Sequence, residues 1–196
     1  MRPIALIIAI LIIVGGLFLV LQMVGGALAR LSPKRNTSMQ TCVSHQKQLA
    51  TAFLMYVQDW NLTFSEPKDG AWSRQFALYL PDSKANVADC PASPRQGRLD
   101  APDYGINANL FGVRVDTIAH PAATLLTADL AEPAMQGSHA LRTEADLGLR
   151  HVLKRGVVVS ALDGHAVTVI REAEETLPAA LKRVDVTLIP TLPPKP

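Results

Sequence analysis

The sequence predicts an α+β fold: a long N-terminal helix, apolar in its first stretch and amphipathic in its second, packed on a small antiparallel β-sheet. Three observations predict it. From Ile4 to Ala29 no side chain carries a charge. From Met39 to Trp60 apolar residues recur in steps of three and four. From Gly156 to Ile170 two β-branched runs flank Asp163-Gly164. The chain is accordingly divided into an apolar anchor with its basic flank (1–35), an α+β head (36–189) and a Pro-rich tail (190–196).

The apolar stretch comes first. Its twenty-six residues span roughly 39 Å as a helix, against a hydrocarbon core about 30 Å thick, which predicts a single membrane-spanning anchor. A cleaved secretory signal is the alternative reading, with Arg2 as its basic start and Ala27-Leu28-Ala29 as its exit. The apolar run exceeds such a signal by about ten residues. Arg30, Lys34 and Arg35 follow the segment, and by the positive-inside bias they favour a cytoplasmic head.

Pro33 disfavours helical torsions at Ser32 and can start a new helix with Ser32 as its cap. The stripe Met39, Cys42, Val43, Leu49, Ala50, Phe53, Leu54, Val57 and Trp60 predicts a second long helix over about Thr37–Asp59. Residues 61–71 read as a turn region, and Trp72–Leu80 as a short helix ended by Pro81. Asp82 to Pro102 reads as a loop holding Cys90. A loop of that length is functional or pinned. Thr124–Leu130 is β-rich, and a short helix is expected near 139–147. Asp163-Gly164 predicts a two-residue hairpin turn, pairing Leu162 with His165, Ser160 with Val167 and Val158 with Val169. A last strand is expected over Val184–Ile189, before a tail that cannot pair inside a sheet.

Charge and composition bound the function. Four basic residues flank the apolar segment and all seventeen acidic residues lie beyond it, leaving fifteen basic against seventeen acidic in the head. A head without a basic face does not suit nucleic acid, so no nucleic-acid partner is expected. Cys42 and Cys90 form either one disulfide or two buried free thiols, and no Cys-x-x-Cys motif is present. Ser160 lies inside a predicted strand, no Gly-x-Ser-x-Gly or phosphate loop occurs, and Glu172, Glu174 and Glu175 read as an exposed segment end. An enzyme is not expected. Asp129, His151, Asp163 and His165 suit a divalent transition metal if the fold gathers them. The turn alone also explains Asp163, and a strand-end role explains His165. No other cofactor is expected.

Four segments carry a resemblance. CVSHQKQLATAFLMYVQDW (Cys42–Trp60), Cys90-Pro91-Ala92, YGIN (Tyr104–Asn107) and HPAATLLTADL followed by RHVLKRGVVVSALDGHAV occur in an order similar to bacterial prepilin-like, type II secretion pseudopilin-G-like proteins. The chain departs from that family at its start, MRPIALIIAI, which lacks the peptidase-site Gly and the early Glu. Eleven residues separate His151 from Asp163, more than the family's usual spacing. The resemblance implies a pilin-like fold and a single-pass protein of the cytoplasmic membrane with its head in the periplasm. It also implies a Cys42–Cys90 disulfide, and other pilin-like subunits or secretion machinery as partners. The function expected from it is a structural or assembly role. The alternative is an anchored binding module that holds a metal or small ligand outside the membrane.

Overall fold

The computed structural model describes residues 14–16, 38–68, 71–80 and 86–188. The chain forms two compact units, Met1–Thr37 and Ser38–Pro196. The apolar stretch 4–29 lies outside the described residues except for 14–16, as do Ile189 and the tail 190–196. Among the described residues no helix is long and apolar enough to cross a membrane. The long helix that is described, α1 (residues 38–59), exposes Ser44, Lys47, Thr51 and Gln58 on one face. The expected long apolar N-terminal helix is therefore not shown, and the expected placement as a single-pass membrane protein is not supported.

The sheet differs from expectation too. It has five strands: β1 (Tyr104–Asn107), β2 (Leu125–Asp129), β3 (Ala140–Leu141), β4 (Gly156–Ala161) and β5 (Ala166–Ile170), in spatial order β3-β1-β2-β4-β5. Three pairings are antiparallel, but β1 and β3 run parallel, with Ile106 opposite Ala140 and Asn107 opposite Leu141. The sheet is mixed. Neither β1 nor β3 shows an apolar–polar alternation, because every residue of both is buried. Strands covered on both faces lose that signal.

Both faces are covered here. On one, α1 sets Cys42, Leu49, Phe53 and Val57 against Tyr104, Ile106, Leu126 and Val158. On the other, α2 (Leu177–Arg183) and the segment after it set Ala180, Leu181, Val186 and Leu188 against Leu125, Val157, Val159 and Val169. Among the described residues, 184–188 do not form the expected strand; Thr187 makes a single bridge, to Thr124. The helix before them starts at Thr176, whose side chain accepts from the Ala179 amide, with a proline in the first turn.

The hairpin exists with its register moved by one residue. Val159 faces Val167 and Val157 faces Val169. A two-residue turn of the expected type needs positive φ at both central positions. Only Gly164 has it, at 95°, while the Asp163 carboxylate accepts from the His165 amide at 3.1 Å. The side-chain cap opens a four-residue loop, and the shift puts Val157 and Val159, rather than Val158 and Ser160, on the face of Val167 and Val169, which packs against α2. On the α1 side, Phe53, Tyr56, Phe64 and Phe76 meet at ring-centroid distances of 5.3–5.7 Å and fix α1 on the 3-10 helix Trp72–Tyr79.

Candidate metal centre

Four segments far apart in sequence deliver one side chain each to a single buried point. Cys42 comes from the first turns of α1, Cys90 from the loop before β1, Asp129 from the end of β2, and His151 from just before β4. Their ligand atoms all lie within 4.8 Å of one another, and all four residues are buried.

Each is held by its own local chemistry. Cys42 lies on the stripe of α1 that faces the sheet. Gln46, one turn on, reaches the sheet backbone by donating to the Val158 carbonyl at 2.7 Å, and its own carbonyl accepts from the Thr127 hydroxyl. Val158 lies beyond the last residue of β4 that pairs with β2, so its polar groups on that side lack strand partners. The Gln46 amide takes the carbonyl, and Asp129 Oδ2 accepts from the Val158 amide at 2.7 Å. Cys90 is set by its amide, which donates to Asp103 Oδ2 at 3.1 Å. Asp103 is itself fully buried and paired with Arg95 at 3.0 Å. The His45 ring and the Tyr104 hydroxyl both hydrogen-bond the Asp89 carbonyl next to it. The long loop is therefore pinned by polar contacts.

His151 is fixed by reciprocal backbone bonds with Gly156, 2.9 Å and 2.7 Å long. They close a tight loop in which Val152, Leu153 and Lys154 all take left-handed torsions, with φ of 47°, 60° and 63°. L-residues resist that conformation by about 1–2 kcal/mol each, and glycine does not. Leu153 is exposed and has little packing to lose. Leu153→Gly is expected to stabilise the protein by about 1 kcal/mol, after allowing for the extra freedom glycine gives the unfolded chain. An unchanged or lowered urea midpoint would show that this turn is not strained.

The distances test which ion fits. For tetrahedral zinc, with bonds of about 2.0 Å to N or O and about 2.3 Å to S, the ligand edges are about 3.3 Å (N–O), about 3.6 Å (N–S) and about 3.8 Å (S–S). His151 Nε2 lies 3.2 Å from Asp129 Oδ2 and 3.6 Å from Cys90 Sγ. Two edges fit as they stand. Of the other four edges, one is too short, since the two Sγ atoms are 2.7 Å apart and would have to separate by about 1 Å, and the remaining three lie within 4.8 Å. Among the described residues buried Asp129 Oδ1 has no hydrogen-bond partner, a costly state for a carboxylate oxygen and one that a cation bound to that oxygen would relieve.

Without a cation the site is held by protons. Burial opposes charge on His151, but its hydrogen bond to Asp129, aided by Cys90, outweighs that and raises its pKa to about 9. The hydrogen bond with Cys42, together with burial, pushes the Cys90 thiol well above its ordinary range. At neutral pH this is an imidazolium–carboxylate pair beside a neutral Cys90 thiol.

Sequence reasoning grouped the ligands differently. Asp129 and His151 meet, but Asp163 and His165 do not join them. Those two pair with each other on the exposed hairpin loop, His165 Nδ1 lying 2.6 Å from Asp163 Oδ1. Cys42 and Cys90, expected to bond to each other, are adjacent free thiols. The sequence reading did not place them in the same cluster as Asp129 and His151. Ser160 is buried and bonded to Thr127 at 2.6 Å, and Glu175 is engaged by Arg183 at 3.0 Å.

No family model, curated protein or solved structure matches this chain. The pilin, pseudopilin and type II secretion assignments implied by the resemblance are thus without support from relatives.

Proposed function

We propose that the unit Ser38–Pro196 is a metal-organised structural module in which Cys42, Cys90, Asp129 and His151 hold one zinc-like divalent cation. The carrying observation is the convergence of these four buried ligands from four separate segments. Two thiolates, an imidazole and a carboxylate form a borderline-soft donor set, which favours zinc over magnesium or calcium. Four protein ligands complete a tetrahedral shell and leave no position for substrate, the pattern of structural rather than catalytic zinc. The ion's work is to tie α1, the loop before β1 and the sheet together, so the role is not enzymatic.

The test is a calorimetric zinc titration of the reduced full chain, run in buffers of different ionisation enthalpy. One equivalent is expected to bind. It should release protons near neutral pH, from the His151 imidazolium and the Cys90 thiol. Cobalt in place of zinc should show tetrahedral ligand-field bands with a thiolate charge-transfer band. Absence of binding, or binding unchanged by Cys90→Ser, would refute the reading.

A further inference from the structure

The two sulfurs that would hold the ion are also placed to bond to each other. We propose that the centre is a redox switch, in which a peroxide oxidises Cys42 and Cys90 to a disulfide and thereby releases the cation. This rests on the metal-binding reading above and concerns the regulation of that same site.

Three observations carry it. First, the free Sγ atoms lie 2.7 Å apart, between the covalent distance of about 2.05 Å and the about 3.8 Å edge of a zinc tetrahedron. Either state needs a shift of about 1 Å or less. Second, once the sulfurs are consumed, the remaining ligands have another stable arrangement. Asp129 and His151 already stand 3.2 Å apart as a hydrogen-bonded pair, and two ligands alone do not retain zinc. Third, the disulfide joins α1 to the loop before β1, the same two segments the ion joins through its cysteines. The fold keeps that tie in both states. A cleft of about 440 Å³ is lined by sequence neighbours of three ligands, Ala92 and Ser93, Ala131 and Glu132, and Arg150 and Lys154, while the four ligands themselves are buried and do not line it.

The chemistry balances with hydrogen peroxide as oxidant. The Cys90 thiolate, whose neighbours line the cleft, attacks one peroxide oxygen. The O–O bond breaks, hydroxide leaves and takes up a proton, and a sulfenic acid remains. The Cys42 thiolate then attacks that sulfur, the S–O bond breaks, and a second hydroxide leaves and is protonated. Two thiolates lose two electrons, peroxide becomes two waters, and the cation leaves as the hydrated ion.

The experiment uses the zinc-loaded, reduced full chain, titrated with hydrogen peroxide in the absence of oxygen. Released zinc is read with a chromophoric chelator, and the protein by intact mass. One zinc is expected to appear per disulfide, with a mass loss of about 2 Da relative to the reduced apo-protein, and a dithiol reductant should restore zinc uptake. Zinc retained while the disulfide forms, or zinc lost with sulfinic or sulfonic acid in place of the disulfide, would overturn the switch alone. A reduced chain that never takes up zinc would overturn the metal reading, and the switch with it.

Discussion

Asp129→Asn is expected to lower the stability of the metal-free, reduced protein by about 3 kcal/mol at pH 7, and most of that loss should vanish by pH 10. Asp129 is fully buried and has two tasks: Oδ2 accepts from the Val158 amide and lies 3.2 Å from the His151 ring. Asparagine can keep the first through its carbonyl but cannot balance an imidazolium. The pH window follows from the shift on His151, whose pKa is about 9 in the folded protein against 6.5 for the unperturbed side chain. A group raised on folding contributes fully below its unfolded pKa, and that contribution is lost as pH rises through the folded value. The wild-type protein should therefore weaken between about pH 6.5 and 9. The variant, which lacks the partner, should stay flat across that range. Asp129→Ala should cost more, because it also strands the buried Val158 amide.

Zinc reverses the sign of this dependence. Binding requires a neutral imidazole and two thiolates, so affinity rises with pH over the range in which the apo-protein weakens. Urea denaturation at pH 5.5, 7.5 and 9.5, with chelator or with excess zinc, would separate the two behaviours. Equal stabilities for wild type and Asp129→Asn at neutral pH would mean that the pair is not the stabilising contact its burial and geometry imply.

What could be read from the residues, and what could not, divides along physical lines. The α1 stripe is local information, since steps of three and four put Cys42, Leu49, Phe53 and Val57 on one face whatever they later pack against. The hairpin was equally local in its existence, but its register depended on one side-chain cap at Asp163, which propensity does not resolve. Tyr104–Asn107 carried a resemblance without reading as a strand, because four residues buried on both faces offer no alternation. At the C-terminus, β-branched Val184, Val186 and Thr187 suggested a strand, whereas Thr176 and the proline after Leu177 were the informative signals, marking a helix start. The metal centre was the least legible feature. Its ligands lie at positions 42, 90, 129 and 151, without the short spacings that betray a zinc site in a sequence. Asp163 and His165 looked paired because they are two residues apart, and the turn uses them on each other.

Gly97→Ala tests how far the centre depends on its supporting loop. Gly97 is buried, and a Cβ there would collide with the Ala88 carbonyl oxygen and sit 2.8 Å from Asp103 Oδ2. The first contact is with backbone and cannot be relieved by a rotamer change. The Ala88 carbonyl also accepts from the Asp103 amide at 2.9 Å, and the Gly97 amide donates to Asp89 Oδ1 at 2.7 Å, so moving one strand of this loop moves the others. Asp103 Oδ2 in turn holds the Cys90 amide. The methyl group should therefore act twice, destabilising the fold by about 3 kcal/mol through overpacking and weakening zinc binding about 10- to 100-fold by moving Cys90 off its bearing. Gly112→Ala serves as the control, since that glycine has open space around it and only its φ of 73° resists substitution. It should cost stability without changing the affinity for zinc. If Gly97→Ala weakened the fold as expected yet bound zinc as tightly as wild type, Cys90 would not be held through Asp103, and the order of support from loop to ligand would have to be redrawn.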